Sequence, residues 1–224
     1  QAQLGVSESL AGWLAGWHYI GYIVGLFIVW LITDLRTKDF FYRYGLLVSV
    51  IATAFMAALE HSLIWYVSRF FAGITSATSF MLGTGLILNW LNHNGYKSEL
   101  GLHFTGIGIG IMVSAIIVDM SGLDTWFNFN WRMQWIALAL VGGSLMFPAM
   151  LLLPRPKERE MEMSRDKDIG IGSVIKVPPV RWLVLMQCAY FCAGFSNTIN
   201  VTFTSLITEL QPLDGLGAKM WLLV

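Results

Sequence analysis

The chain has 224 residues, of which 56% are hydrophobic and 12% charged, with ten Trp, fourteen Phe and fourteen acids balanced by fourteen Lys and Arg. So small a charged fraction excludes an ordinary water-soluble domain, in which about 25% is usual, and the zero net charge argues against nucleic acid as a partner. Cys188 and Cys192, the two cysteines, stand four apart in an apolar run and suggest neither a disulfide framework nor a CxxC site.

Six apolar runs, at 12–33, 41–59, 63–91, 101–119, 133–153 and 181–207, can each cross ~30 Å of hydrocarbon at ~1.5 Å per residue. A seventh begins at Met220. The expected fold is therefore all-α, a polytopic membrane helical bundle. Its expected divisions are a transmembrane bundle over 1–153, a charged linker over 154–179 (RPKEREMEMSRDKD) and the start of a second bundle over 180–224. Eleven Lys and Arg lie in the connections on one side and two, Arg132 and Lys219, on the other, so the linker is expected in the cytoplasm of an inner-membrane, multi-pass protein. Trp13, Trp65, Trp90, Trp131 and Trp182 near run ends fit an interfacial aromatic belt. The absence of a basic leader before the first run and the apolar ending MWLLV read as a fragment cut at both ends, one helix being expected upstream.

In the first run, Gly12 and Gly16, and again Gly21 and Gly25, form small-residue faces for close helix packing. His18 and Tyr22 are i, i+4 neighbours and share a face. Either interfacial anchoring or cavity lining accounts for Tyr22, whereas His18 would add a titratable group to a cavity. In the third run one permanent cation, Arg69, interrupts apolar, aromatic and small residues. Centrally placed Arg costs ~2.5–3.5 kcal/mol on the insertion scale, and no Asp or Glu lies deep within any of the six runs to repay it, Glu60, Glu99, Asp119 and Glu209 falling at ends or in connections. Three readings are open: snorkelling to the nearby interface, a structural hub for another helix, and a place in a water-filled, anion-accepting cavity. The third is preferred because intramembrane ionisable residues are functional by default. Gly73, Ser76, Ala77, Phe80 and Thr84 follow Arg69 along a narrow face suited to helix packing.

The GIGIG of the fourth run lacks the strand and aqueous helix start that a phosphate loop needs, so Gly106 and Gly110 are read as a packing face, with backbone flexibility as the alternative. His103 falls at headgroup level. In the last run Gln187, Tyr190, Gly194, Asn197 and Thr204 make a polar stripe, for which interhelical hydrogen bonding and a substrate path are both open. No HExxH, GxSxG or intramembrane carboxylate pair occurs, so neither an enzyme, a metal site nor a cofactor is expected.

At this point the residues resemble a family. Five apolar runs before a charged linker, six helices with the one expected upstream, and RFFAGITSA with Arg69 four residues ahead of Gly73, are similar to the major facilitator superfamily. GWLAGWHYIGYIVG, RFFAGITSATSFMLGTGLILNWL and GLHFTGIGIGIMVSAIIV are similar to its YbfB/YjiJ branch. The resemblance implies that the chain covers about helices two to seven, and that Arg69 faces the central cavity. It also implies a gating role for Asp34 in TDLRTKDFFYRYG, while a fifth helix without Pro counts against a drug/proton antiporter. The implied function is secondary active or facilitative transport of a small organic solute by alternating access, Arg69 pointing to an anionic one and His18 to a coupling proton. Arg69, His18, Tyr22, Gln187, Tyr190 and Asn197 are then the candidate solute residues, and Gly73, Ala77, Gly106, Gly110 and Asp34 the packing or gating ones. A non-transporting membrane receptor or assembly partner with the same helical plan is the alternative.

Overall fold

The computed structural model describes residues 8–58, 61–97, 99–119, 130–156 and 179–210, with 8, 11, 118–119 and 197–210 described by backbone alone. These residues form six helices: α1 (Glu8–Leu31), α2 (Leu35–Ala58), α3 (Ser62–His93), α4 (Gly101–Asp119), α5 (Trp131–Leu152) and α6 (Val180–Leu210). Four contain stretches long and apolar enough to cross a membrane: Gly12–Leu31, Leu35–Ala58, Ser62–His93 and Trp131–Leu152. The apolar stretches Gly101–Ile117 in α4 and Val180–Ser196 in α6 are shorter. The expected seventh run from Met220 lies outside the described residues.

The helix ends follow from local chemistry. α2 starts six residues before its apolar run because Asp34 caps it: one carboxylate oxygen accepts the Thr37 N–H at 2.9 Å and the Thr37 hydroxyl at 3.0 Å. That bond satisfies a donor no helical carbonyl reaches. α3 ends in LNHNGY, where Gly95 takes φ +74, a left-handed backbone that side chains resist. There Tyr96 N–H reaches the Leu91 carbonyl at 3.0 Å and Gly95 N–H that of Asn92 at 3.3 Å, while the Tyr96 ring stacks on Trp90. This is a Schellman stop with its apolar contact. α5 starts at Asn130, whose side chain accepts the Met133 N–H at 3.0 Å.

The chain divides into two compact units, 1–167 and 168–224, and the division falls inside the expected linker. α6 belongs to the second unit. In the first, α3 packs against α1 on one side and α2 on another, and α2 also packs against α5. Small residues set these distances: Ser68, Ala72, Gly73, Thr75, Ala77 and Thr78 are buried along α3. Their hydroxyls are answered by carbonyls, Thr75 and Thr78 bonding within α3 and Ser68 donating to Ala52 of α2 at 2.5 Å. In an apolar surround such internal pairing is required.

α2 and α5 are joined by ionic chemistry. Arg43 pairs with Asp39 at 2.9 Å and donates to the Leu153 carbonyl at 2.8 Å and to the Met150 carbonyl, at the end of α5. A cation there suits both the unpaired carbonyls and the negative end of the helix dipole.

Candidate functional site

The site grows from the contact of α1 with α3. A Cβ placed on Gly73 would meet the His18 carbonyl and, at 2.8 Å, the Tyr22 nitrogen, so here backbone lies on backbone. Gly21 offers the same approach to the Phe70 carbonyl, and Gly25 to the Ile74 carbonyl at 2.6 Å and the Ala77 Cβ at 2.8 Å. The small-residue faces at Gly21/Gly25 and at Gly73/Ala77 are thus two sides of one seam. Trp17 closes it above, its ring 6.3 Å from Tyr66 and 6.1 Å from Phe70.

This seam brings three expected site residues together. His18 lies against Arg69, within reach of both its charge and its backbone, and Tyr22 sits one turn along α1 beside Gly73. The partner of Arg69, which the sequence left unassigned, comes from α5. Its guanidinium carbon stands 4.5 Å from the centroid of the Trp135 ring, a cation–π contact. No carboxylate lies within ion-pairing distance of Arg69 among the described residues.

One turn away the contact repeats. Trp65, expected in an interfacial belt, is 7% exposed and meets Trp131 edge-on at 6.0 Å. Trp65 and Arg69 on α3 thus face Trp131 and Trp135 on α5 in one register. Two polar atoms near this junction, Trp65 Nε1 and His18 Nδ1, are buried without a hydrogen-bond partner. Towards the other end of the Arg69 face, Thr84 bonds to His103 Nε2 at 3.0 Å and Phe80 stacks on the same imidazole. His103 therefore joins α4 to α3 in addition to lying near the start of its helix.

Other expected residues fall elsewhere. Asp34 is the α2 cap, and its carboxyl is held below its ordinary pKa of 3.8, first by the Thr37 N–H bond and then by the Thr37 hydroxyl and Arg36. Gly106 and Gly110 are exposed, and a Cβ on either meets nothing within 4 Å, as is also true of Gly12 and Gly16. Their four-residue spacing supplies a smooth face, but no described helix covers it, so the packing expected of them is not found among the described residues. Gln187 and Tyr190 are exposed on α6 of the second unit, and the Asn197 side chain lies outside the described residues. A cleft of about 370 Å³ opens between the Asp34 ends of α1, α2 and α3, where Val29, Ile32 and Met81 form apolar walls beside Lys38 and Asn89. Met81 is twelve residues, roughly 18 Å of helix, from Arg69, so this cleft and the buried cation are separate features.

Among the described residues no group of three or more His, Cys, Asp or Glu is arranged to hold a metal ion. No curated protein and no solved structure matches the chain. The profile of the family described as "Uncharacterised MFS-type transporter YbfB" matches residues 1–224. A multi-pass membrane protein with four spanning-length helices and a family match along its whole length, the chain belongs to the YbfB-like family of major facilitator superfamily transporters.

Proposed function

We propose that the protein is a secondary active or facilitative transporter of a small organic anion, working by alternating access, with Arg69 as the group that receives the anion. The observation that carries this reading is a guanidinium set at the α1–α3 seam on the face of an aromatic ring, with no carboxylate in range among the described residues. A cation kept in an apolar surround without a counter-ion is matched to one that arrives from outside. His18, against Arg69, supplies the proton-carrying group in the ion-coupled case, and Tyr22 a hydroxyl to the same seam. By their helical spacing Gln187, Tyr190 and Asn197 give α6 of the second unit a polar stripe suited to solute contact. The bias of Lys and Arg to one set of connections supports a cytoplasmic 154–179 linker and an inner-membrane location.

The test is counterflow in vesicles containing the complete protein, with a panel of labelled carboxylic acids. Arg69→Ala is expected to abolish exchange and Arg69→Lys to lower it at least tenfold, because a point ammonium lacks the planar fork of donors. Full exchange by Arg69→Ala overturns the anion site. Binding without exchange in the wild type favours the receptor alternative.

A further inference from the structure

Building on the reading of Arg69 as an anion-receiving group, we propose that Trp135 is its positioning residue, holding the guanidinium by one face so that its N–H edge is presented to a planar carboxylate before any solute arrives. The two surfaces of a guanidinium differ. Its edge carries five N–H donors, whereas its face makes no hydrogen bonds and is weakly hydrated. An indole at 4.5 Å from the guanidinium carbon therefore displaces water from the side of the cation that loses least by it. A forked, bidentate contact to carboxylate stays open in the guanidinium plane.

The geometry around Trp135 is built to hold that ring in place. Trp131 stands against Trp65 as Trp135 stands against Arg69, each pair four residues along its helix. The contact of buried Trp65 with Trp131, together with the packing of α5 on α2, holds the α5 indole beside the cation. On the α1 side His18 lies against Arg69, and α1 cannot recede or advance freely because Gly73 and Gly21 set backbone on backbone. Arg69 thus has an aromatic face on its α5 side and the His18 imidazole on its α1 side. An ammonium, hydrated on all sides, has no face to give to the ring, so the same surround selects Arg over Lys.

The test reads the local potential without needing the transported solute. In the complete protein with its native cysteines replaced, Ser76→Cys places a thiol on the Arg69 face two turns along α3. Its modification rates by an anionic methanethiosulfonate (sulfonatoethyl) and a cationic one (trimethylammonioethyl) are compared. The anionic-to-cationic rate ratio is expected to fall at least fivefold in Arg69→Gln, to fall by a smaller factor, about twofold, in Trp135→Leu, which keeps the charge but frees its side chain, and to stay near wild type in Trp135→Phe, which keeps an aromatic face. Site-specific replacement of Trp135 by a polyfluorinated tryptophan, which keeps the shape and drains the negative face, is expected to lower the ratio in a protein that folds as wild type does. A ratio that falls in Arg69→Gln but is unchanged by both Trp135→Leu and the fluorinated ring overturns the positioning role and leaves the Arg69 reading standing. A ratio insensitive to Arg69→Gln, or a thiol that neither reagent reaches, removes the water-filled anion site itself and the role of Trp135 with it.

Discussion

Gly73→Ala isolates the physical basis of the α1–α3 seam. The added Cβ would lie 2.8 Å from the Tyr22 nitrogen and 3.0 Å from the His18 carbonyl carbon, both inside the 3.4 Å at which ordinary contact begins, with the His18 carbonyl oxygen closer still. All three are backbone atoms and cannot rotate away, so α1 must move as a helix. Overpacking of this kind costs typically ~1–3 kcal/mol, and the upper end applies where nothing can yield. Alanine regains up to ~1 kcal/mol of helix propensity, leaving a net loss of about 2 kcal/mol. Gly106→Ala is the matched control, because its Cβ meets nothing within 4 Å and only the propensity gain remains. Thermal unfolding of the complete protein in one detergent, followed by thiol-reactive or intrinsic fluorescence, should place Gly73→Ala several degrees below wild type and Gly106→Ala at or above it. Equal midpoints for the two variants would refute the backbone-on-backbone reading of the seam.

Two further outcomes follow from the helix ends. Arg43→Met removes the donors to Met150 and Leu153 and leaves Asp39 without its counter-ion, so amide exchange over the last turn of α5 should quicken. The expected cost of ~1–3 kcal/mol exceeds that of Asp39→Asn, which keeps those donors. Because the pKa of the Asp34 carboxyl is depressed in the folded state, its capping contribution is present above the ordinary value of 3.8 and is lost as pH falls through the lower, folded one. Exchange of the Thr37 amide should therefore rise on acidification below about pH 4 in wild type and become independent of pH, within the chemical exchange trend, in Asp34→Asn.

The seam was legible from spacing, whereas its third wall was not. Gly21 with Gly25, and Gly73 with Ala77, announce close approach through their four-residue period, and His18 with Tyr22 shares a face with Gly21 and Gly25 near enough to predict a meeting with Arg69. That α5 supplies the partner is a tertiary fact, since nothing local to Arg69 names Trp135. A signal was nevertheless present: Trp65 and Arg69, and Trp131 and Trp135, are matching i, i+4 pairs on runs that cross in the same direction. The lack of a deep carboxylate does not reveal it, because in an apolar surround the counter-group of an arginine is as readily an aromatic face. The family loop implies a gate at Asp34, although an Asp followed three residues later by Thr at the start of a helix is also a local cap signal. Gly106 and Gly110 show the converse limit, for a small-residue period states that a helix can approach and not that one does.

The Arg43 contact also has a place in time. Asp39 is four residues away, but the Met150 carbonyl is 107 residues further along the chain. At a synthesis rate of ~5–20 residues per second, the guanidinium is made roughly 5–20 seconds before the α5 end exists to receive it. Through that interval Asp39 is its neighbouring counter-charge, whereas the LNHNGY stop of α3 needs no later segment and closes as soon as its own residues emerge. Local caps therefore set the ends of these helices early, and the fastening of α2 to α5 waits until the last helix of the first unit is made.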